Sequence, residues 1–398
     1  MKVRSLFCIA TTILGLVAPT VSIRANELQR SGSNAPASFS VSAAPADPFQ
    51  HQDQVDPLPL VNVQSGTYAQ APIFETTASI LFLQPSSGSL EYGTLVYPLP
   101  APTPHWENQS INPDFAPAFN LGVRFMIPET SNDIRASWTH LNSSDSASFT
   151  GGAQNFAGPQ YLIGPGSTAY NDGAGTVKFN YEAVNLEFGH LMRTSGPFQM
   201  RVHGGMQYGR VKQNLSSFFR STAGDYTHSN STLSNFNGAG PRIGVNGEFN
   251  RGNFQFFGDM AAFALIGRNS TRMDFATTFP AIGSIPNPFT PSGNPPINLP
   301  GIPQPNQQSF TSPNATQVVP GLDCRMGAAY SRPLGIGILR LEAGYQAVVY
   351  VNAVNSYNLT QVAVPPNVSA IGVFMATQEH VQSTFTAHGP FASASFAF

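Results

Sequence analysis

The chain has 398 residues, with 19 lysine or arginine residues and 21 aspartate or glutamate residues, so its formal net charge is only −2. Charged residues form 10% of the sequence, whereas they form about 25% of ordinary globular domains. This composition excludes a basic surface for nucleic acids. After residue 25 no apolar run approaches the roughly 18 residues that a membrane-spanning helix needs.

Residues 1–25 have the layout of a secretory signal peptide. Lys2 and Arg4 form a positively charged start, and an apolar run from Ser5 to Val21 follows. Pro19 and the shortness of the run argue against a permanent anchor, which takes about 20 apolar residues. We therefore predict export and cleavage after Ala25.

Cleavage of the signal peptide also removes one of the two cysteines. Cys8 lies inside the apolar run, so Cys324 is the only cysteine of the predicted mature chain. A single thiol excludes an intramolecular disulfide and a paired-cysteine metal site. We predict no cofactor and no bound metal.

Residues 26–71 differ in composition from the rest of the chain. They are rich in Ser, Ala, Pro and Gln and show no apolar periodicity. Their small apolar surface does not offset the entropy lost on ordering, which predicts a disordered periplasmic lead-in. From residue 72 onward the sequence alternates, and we predict that residues 72–398 form one outer-membrane β-barrel.

The alternation is clearest from Phe198 to Tyr208. Polar residues or glycines at odd positions separate apolar residues at even positions, apart from Gly204. Successive side chains of a strand point to opposite faces, so this segment has one apolar and one polar face. The recurrence of such segments predicts an all-β fold, a transmembrane antiparallel up-and-down β-barrel of about 10 strands (8–12). The predicted strand cores are 73–83, 116–127, 133–141, 177–190, 198–211, 238–249, 254–267, 317–331, 338–351 and 381–398.

The connections between these strands alternate in length. Outer-membrane barrels have short periplasmic turns and longer outer loops. The predicted turns are 127–132, 191–197, 250–253 and 332–337. The predicted outer loops are 84–115, 142–176, 212–237, 268–316 and 352–380, of which 268–316 is the longest and is rich in proline. With ten strands, this alternation of long and short connections places the start of the first strand and the end of the last strand on the periplasmic side.

The positions of the charged residues distinguish a membrane barrel from a soluble sandwich. The apolar phase of each strand faces lipid, where Arg or Lys at the midplane costs about 2–4 kcal/mol, whereas the polar phase faces a wet lumen. Twelve polar-phase residues are predicted to line the lumen: Arg124, Asp133, Arg135, Arg201, His203, Arg242, Glu248, Asp259, Asp323, Arg325, Arg340 and Glu342. Arginines exceed acids in this set, which predicts a slight preference for anions.

Two features depart from this pattern. Arg210 and Arg268 lie on the apolar phase, at predicted strand ends from which long side chains reach the membrane interface. In the strand 177–190 the apolar phase changes between Tyr181 and Val184. We predict a β-bulge near Ala183, which shifts the phase by one residue; the alternative is that simple alternation fails in this strand.

Aromatic residues lie near many predicted strand ends. They predict girdles at the two membrane interfaces, although aromatic residues are common in all strands. The girdle set is Trp138, Tyr208, Phe249, Tyr330, Tyr345 and Tyr350. The last strand ends in Phe396 and Phe398, and this terminus resembles the signal that the barrel-insertion machinery recognises.

Short segments in the same order along 73–398 are similar to the Legionella-type major outer membrane protein family. They are Leu83–Ser86, Leu90–Tyr92, Phe119–Phe125, Ser137–His140, Tyr181 with Val184–Gly189, Gly238–Gly244 and Leu341–Gln346, followed by the aromatic terminus. The resemblance implies an outer-membrane location in a Gram-negative-type bacterium, pore formation and no cofactor. It implies no catalytic residue.

These observations predict a porin-like protein, not an enzyme, that lets small solutes or ions pass. Its expected partners are outer-membrane lipid and the barrel-insertion machinery, and association of several copies is compatible with the sequence. Two alternatives stay open. One is a structural or adhesive barrel that acts through its outer loops. The other is a barrel hydrolase, which the following histidines suggest: His140, His190, His203, His380 and His388.

Overall fold

A computed structural model describes nine stretches of the chain. The predicted signal peptide 1–25, the lead-in 26–71 and the middle of the loop 268–316 lie outside the described residues. The described stretches are 73–97, 105–151, 156–158, 170–193, 196–220, 227–278, 306–312, 314–363 and 374–398.

The described residues form β-strands joined by turns. They contain no helix that is long and apolar enough to cross a membrane. The strands are β1 (Phe74–Ser87), β2 (Glu91–Tyr97), β3 (His105–Ser110), β4 (Ala116–Met126), β5 (Asn132–Thr150), β6 (Phe156–Gly158), β7 (Asp172–Arg193), β8 (Phe198–Arg220), β9 (Thr227–Arg251), β10 (Phe254–Thr278), β11 (Asn306–Thr311), β12 (Ala315–Leu334), β13 (Gly337–Ala363) and β14 (Phe374–Ala397).

Ten of these strands close into one antiparallel ring, which confirms the predicted barrel. The order around the ring is β1, β4, β5, β7, β8, β9, β10, β12, β13 and β14, and β14 pairs with β1. The short strand β11 pairs with the outer part of β10 and continues the line of β12. Each ring strand therefore neighbours the ring strands before and after it in the chain, as expected for an up-and-down barrel.

The ring closes at the end where the short turns lie. The backbone amides of Ile73 and Phe74 donate to the carbonyl oxygen of Phe398 at 3.0 Å, and the amide of Phe398 donates to Phe74 at 2.8 Å. The four predicted turns join strands at this same rim. Because outer-membrane barrels have their short turns on the periplasmic side, we call this end the periplasmic rim.

A band of apolar side chains covers the outside of the ring near this rim. Each is between 36% and 64% exposed: Ile80, Phe82, Leu121, Val123, Phe125, Ile134, Val184, Leu186, Phe188, Val202, Met206, Ile243, Val245, Phe256, Met260, Ile266, Met326 and Leu341. On β8 the band runs from Phe198 to Tyr208, and a tilted strand needs about 9–11 residues to cross the hydrocarbon. The apolar band is therefore the lipid-facing surface.

The predicted bulge near Ala183 is wrong. β7 pairs with β5 and with β8 without a register shift along its whole length. Instead, where the strand leaves the bilayer, its outer face changes from apolar to polar and its inner face changes from polar to apolar. Toward the rim, Val184 points outward and Glu187 inward, whereas farther out Lys178 points outward and Phe179 inward. Water replaces lipid outside, so the inner face becomes an ordinary apolar core.

The same exchange explains why the strands extend beyond the predicted cores. β8, β9 and β10 have 23, 25 and 25 residues, about twice the 9–11 residues that cross the hydrocarbon. Both flanks of the predicted loop 268–316 are consequently strands, namely the outer part of β10 and β11. A register shift does occur, but in β13 between Tyr350 and Val354.

Gly240 on β9 lies where the backbone of β10 approaches closely. A Cβ atom at this position would press on the backbone carbonyl of Ala264, whereas a Cβ at Gly258 would meet nothing within 4 Å. We expect Gly240→Ala to destabilise the barrel by about 1–3 kcal/mol, because overpacked backbone has to shift. Gly258→Ala is the control, and the temperature at which each purified barrel loses its folded mobility on a gel is the measurement. Equal temperatures for the two variants would contradict the close contact.

Candidate functional site: the barrel lumen

The inside of the barrel near the periplasmic rim is polar and charged. We call this region the polar tier. It contains His203, the arginines Arg124, Arg135, Arg201, Arg242, Arg325 and Arg340, and the acids Glu75, Asp133, Glu187, Glu248, Asp259, Asp323 and Glu342. All twelve residues predicted to line the lumen lie here, on the inner face of their strands.

Asp133 is the first centre of an ion-pair network in the polar tier. Its carboxylate accepts hydrogen bonds from Arg201 Nη2 at 2.6 Å and from Arg124 Nη2 at 2.9 Å. Arg124 Nη1 also lies 3.6 Å from Glu75 Oε2 at the rim. Asp133 is buried, so its charge depends on these two guanidinium groups for stabilisation.

Glu187 is the second centre and links three strands. Arg201 Nη1 donates to its Oε2 at 3.3 Å, and Arg242 Nε donates to its Oε1 at 3.0 Å. Arg242 Nη2 in turn donates to Asp323 Oδ2 at 2.9 Å. His203 Nε2 lies 3.5 Å from Glu187 Oε1, but neither ring nitrogen has a hydrogen-bond partner among the described residues.

A third group of charges lies around Glu342 on β13. Arg325 Nη2 donates to Glu342 Oε2 at 2.7 Å, and Arg340 Nε lies 2.8 Å from Oε1. Arg340 Nη2 lies 3.0 Å from Glu248 Oε1. The guanidinium of Arg325 also stacks over the ring of Phe391 at 4.0 Å, a cation–π contact that fixes its orientation.

Arg135 and Asp259 are exceptions within the polar tier. Among the described residues neither forms an ion pair within 4.0 Å, although all the other charged groups of the tier do. Both line two cavities of about 80 Å³ and 190 Å³. Such polar cavities are large enough for several water molecules. The polar tier is thus incompletely filled and has room for water.

Two acids of the polar tier were missed by the sequence prediction. Glu75 precedes Thr77 and Ser79 on the same face of β1, and Glu187 shares the inner face of β7 with Asn185. Glu75 lies within the predicted core 73–83, and Glu187 lies on the polar phase between Leu186 and Phe188, so the alternation rule could have found both. With both included, seven acids face six arginines in the described lumen. The predicted excess of arginine is therefore wrong, and the anion preference derived from it loses its basis.

Beyond the polar tier, apolar side chains fill the interior. We call this region the apolar tier. Each member is at most 5% exposed: Leu81, Leu83, Leu141, Phe179, Tyr181, Val211, Phe236, Phe263, Leu265, Val319, Tyr350 and Phe385. The rings of Phe263 and Tyr350 have centroids 4.8 Å apart, and those of Tyr181 and Phe385 are 5.5 Å apart. This packing resembles a protein core rather than the wall of a channel.

Tyr350 joins the two tiers. Its hydroxyl accepts a hydrogen bond from Gln207 Nε2 at 2.7 Å, and Gln207 Oε1 accepts one from Arg242 Nη1 at 2.9 Å. Tyr350 is fully buried, so its predicted place in the aromatic girdle is wrong. The register shift that begins at this residue marks where β13 enters the outer half of the barrel.

The remaining girdle candidates lie on the outer face of the ring. Trp138, Tyr208 and Tyr345 are 40%, 41% and 44% exposed near the outer edge of the apolar band. Phe249 and Tyr330 lie near the periplasmic rim, where Phe254 packs against Tyr330 at 5.3 Å between ring centroids.

The aromatic C-terminus lies at the rim where the barrel closes. The ring centroids of Phe396 and Phe398 are 6.0 Å apart, and Phe398 also stacks on Phe74 at 6.1 Å. Recognition of these residues by the insertion machinery stays a prediction.

The structure does not bring the candidate histidines together. His140 lies 3.5 Å from Glu182, His190 contacts Asn132 at 2.8 Å, and His388 contacts the Tyr345 hydroxyl at 2.6 Å. His203 is in the polar tier, and His380 packs on the ring of Tyr357 with centroids 5.2 Å apart. Within the described stretches, no three His, Cys, Asp or Glu residues are grouped to hold a metal ion.

Comparison with known proteins identifies the family. The family model described as "Legionella pneumophila major outer membrane protein precursor" matches residues 69–398. The chain belongs to this family. The predicted family resemblance and the outer-membrane location are therefore confirmed. No curated protein sequence matches the chain.

Several solved structures match the chain at low sequence identity. The outer membrane protease OmpT of Escherichia coli is 11% identical, with a TM-score of 0.41 over 84% of this chain and 99% of that one. The translocator domain of the autotransporter NalP of Neisseria meningitidis is 12% identical, with a TM-score of 0.29 over 84% and 90%. The toluene transporter TodX of Pseudomonas putida is 6% identical, with a TM-score of 0.25 over 82% and 90%.

Proposed function

We propose that this family member is a porin-like protein for small solutes or ions and is not an enzyme. The main support for this proposal is the polar tier, in which ionisable side chains surround cavities of about 80 Å³ and 190 Å³. Burying charges is costly, and replacing buried ion pairs by packed apolar residues often leaves stability unchanged or raises it. A barrel that served only as an anchor would gain nothing from such an interior, whereas a hydrated path needs it.

The apolar tier closes the proposed path in the described conformation. Its side chains are almost completely buried and pack ring against ring. Hydrophobic constrictions block ions because water and ions are excluded from them. Passage therefore requires rearrangement of this tier, and we propose that it acts as the gate of the pore.

The expected pore is narrow and weakly selective. A ring of ten strands is far smaller than the 16–18-stranded porins with an aqueous channel. Arginines and acids are nearly balanced in the polar tier, so neither anions nor cations are strongly favoured. Arg135 and Asp259 are the residues through which selectivity is most easily altered, because both line the two cavities without an ion pair within 4.0 Å among the described residues.

Single-channel recording in planar bilayers tests the pore. We expect brief, small conductance steps from the purified wild-type barrel, and a reversal potential near zero in a potassium chloride gradient. Arg135→Glu should shift the reversal potential toward cation selectivity, whereas Arg135→Gln should shift it less. Protein that shows folded, heat-modifiable mobility but gives no steps in bilayers would refute the pore.

One observation favours a second function at the outer end. β2 pairs with β3 and with β6, so segments from two different outer connections form one small sheet. Such a sheet is a platform on which an adhesive surface can be built. Deletion of residues 91–110 separates the two functions: a pore keeps its conductance, whereas an adhesin loses the attachment of expressing cells to a test surface.

A further inference from the structure

The outer edge of the apolar band is sharply defined on β7–β10. Register partners on these four strands form its last row, namely Val184, Tyr208, Ala239 and Ile266. The next row outward consists of Glu182, Arg210, Asn237 and Arg268. One strand step therefore separates lipid-facing apolar side chains from two arginines, at the level where the headgroups of the outer leaflet lie.

Two lysines extend this row of cations outward. Lys212 lies one row outward from Arg210 on the outer face of β8. Lys178, on the outer face of β7, lies one row outward from Lys212. Neighbouring strands are about 4.8 Å apart and residues two apart on a strand about 6.6 Å apart, so the four positions fit within roughly 20 Å. We call Lys178, Arg210, Lys212 and Arg268 the cation patch.

The charges of the cation patch are largely unsatisfied. Among the described residues, the side chains of Lys178, Lys212 and Arg268 form no hydrogen bond and no ion pair. Arg210 has one contact, at 3.9 Å to Glu182. By contrast, Arg220 and Arg272 farther out are paired with Asp172 and Asp274 at 3.2 Å and 3.0 Å.

The cation patch is confined to one side of the barrel. In the described parts of the other six ring strands, the outer face beyond the apolar band carries neither lysine nor arginine. A general need for cations near headgroups would distribute them around the ring. Concentration of the four cations within the sector β7–β10 indicates one binding site instead.

We propose that the cation patch binds the phosphate groups of a phosphorylated lipid in the outer leaflet, whose acyl chains lie along the apolar band below it. Arginine suits phosphate because its guanidinium donates two parallel hydrogen bonds, and lysine adds a compact charge. Tyr208 and Ile266, at the top of the band, lie where the acyl chains begin. This site is on the outer face of the barrel and does not depend on the pore.

Binding of lipid A to the purified full-length protein in an uncharged detergent tests the site. The probes are diphosphorylated lipid A and the same lipid without phosphates. We expect the variant with Arg210→Gln, Lys212→Gln and Arg268→Gln to bind diphosphorylated lipid A on the order of 100-fold more weakly, because each cation near an anionic membrane surface contributes about fivefold. Affinity for the lipid without phosphates should not change.

The matched control removes cations at the opposite rim. Arg251→Gln with Arg332→Gln should leave both affinities unchanged, and folded mobility on a gel verifies that every variant is closed. Rising salt should weaken wild-type binding to the phosphorylated lipid. Equal affinity of wild type and patch variant for that lipid would overturn the proposal. So would a change of oligomeric state in lipid-free detergent as the only effect of the patch variant, since the occupant would then be a protein.

Discussion

Replacement of Tyr350 and Phe385 by alanine is expected to convert rare, small conductance steps into larger, long-lived ones. Both side chains are fully buried in the apolar tier, with ring centroids 6.2 Å apart. Their truncation removes two of the rings that fill the apolar tier next to the polar tier. Because a hydrophobic constriction blocks ions by excluding water, its removal should raise the mean conductance on the order of tenfold.

The control for this experiment removes aromatic rings of the same kind from the lipid-facing surface. Phe254 and Phe256 are 60% and 58% exposed on the outer face of β10, so alanine at these positions leaves the lumen unchanged. A core Phe→Ala change costs about 3–5 kcal/mol, so the single variants Tyr350→Ala and Phe385→Ala are recorded as well. Unchanged conductance in folded double-variant protein would show that the apolar tier is not the gate.

Glu187→Leu is expected to destabilise the barrel strongly. The carboxylate is shared by Arg201 and Arg242, whose side chains are only 6% and 8% exposed. Leucine removes the negative charge between two buried guanidinium groups. Breaking a buried ion pair by removing one partner costs about 3–5 kcal/mol, because a charge is left uncompensated.

Unfolding in urea, followed by tryptophan fluorescence in lipid vesicles, measures this loss. Glu182→Leu on the outer face of the same strand is the control, because its contacts to Arg210 at 3.9 Å and to His140 at 3.5 Å are partly exposed. Such exposed pairs contribute about 0–1 kcal/mol. The double variant Glu187→Leu with Arg242→Met should recover part of the lost stability. A single variant as stable as the control would show that the lumenal charges are solvated rather than paired.

The alternation of polar and apolar residues determined much of the barrel. A strand turns one face to the lipid and the other to the lumen. The alternation within Phe119–Phe125 and within Phe198–Tyr208 therefore indicates which of their side chains face the lipid. All ten strand cores and the alternation of short and long connections follow from this local rule. The inward position of Arg201 and Arg340 follows from it too, since charges avoid hydrocarbon.

The structure of the outer half did not follow from the same rule. Beyond the bilayer, water surrounds the outside of the barrel and apolar side chains fill its inside. Phe179 and Tyr181 therefore face inward, whereas within the membrane apolar residues face outward. This reversal produced the incorrect bulge near Ala183. The girdle assignment of Tyr350 failed for the same reason, because its strand had already left the lipid.

The amino-acid sequence by itself determined which residues share a face, since that property depends only on the two-residue period of a strand. Ring closure decided which faces meet across the lumen. It brings Asp133 to Arg201 and Glu187 to Arg242, residues 68 and 55 positions apart in the chain. It also stacks apolar side chains of different strands into one tier. Such contacts depend on register and curvature, which no local pattern encodes.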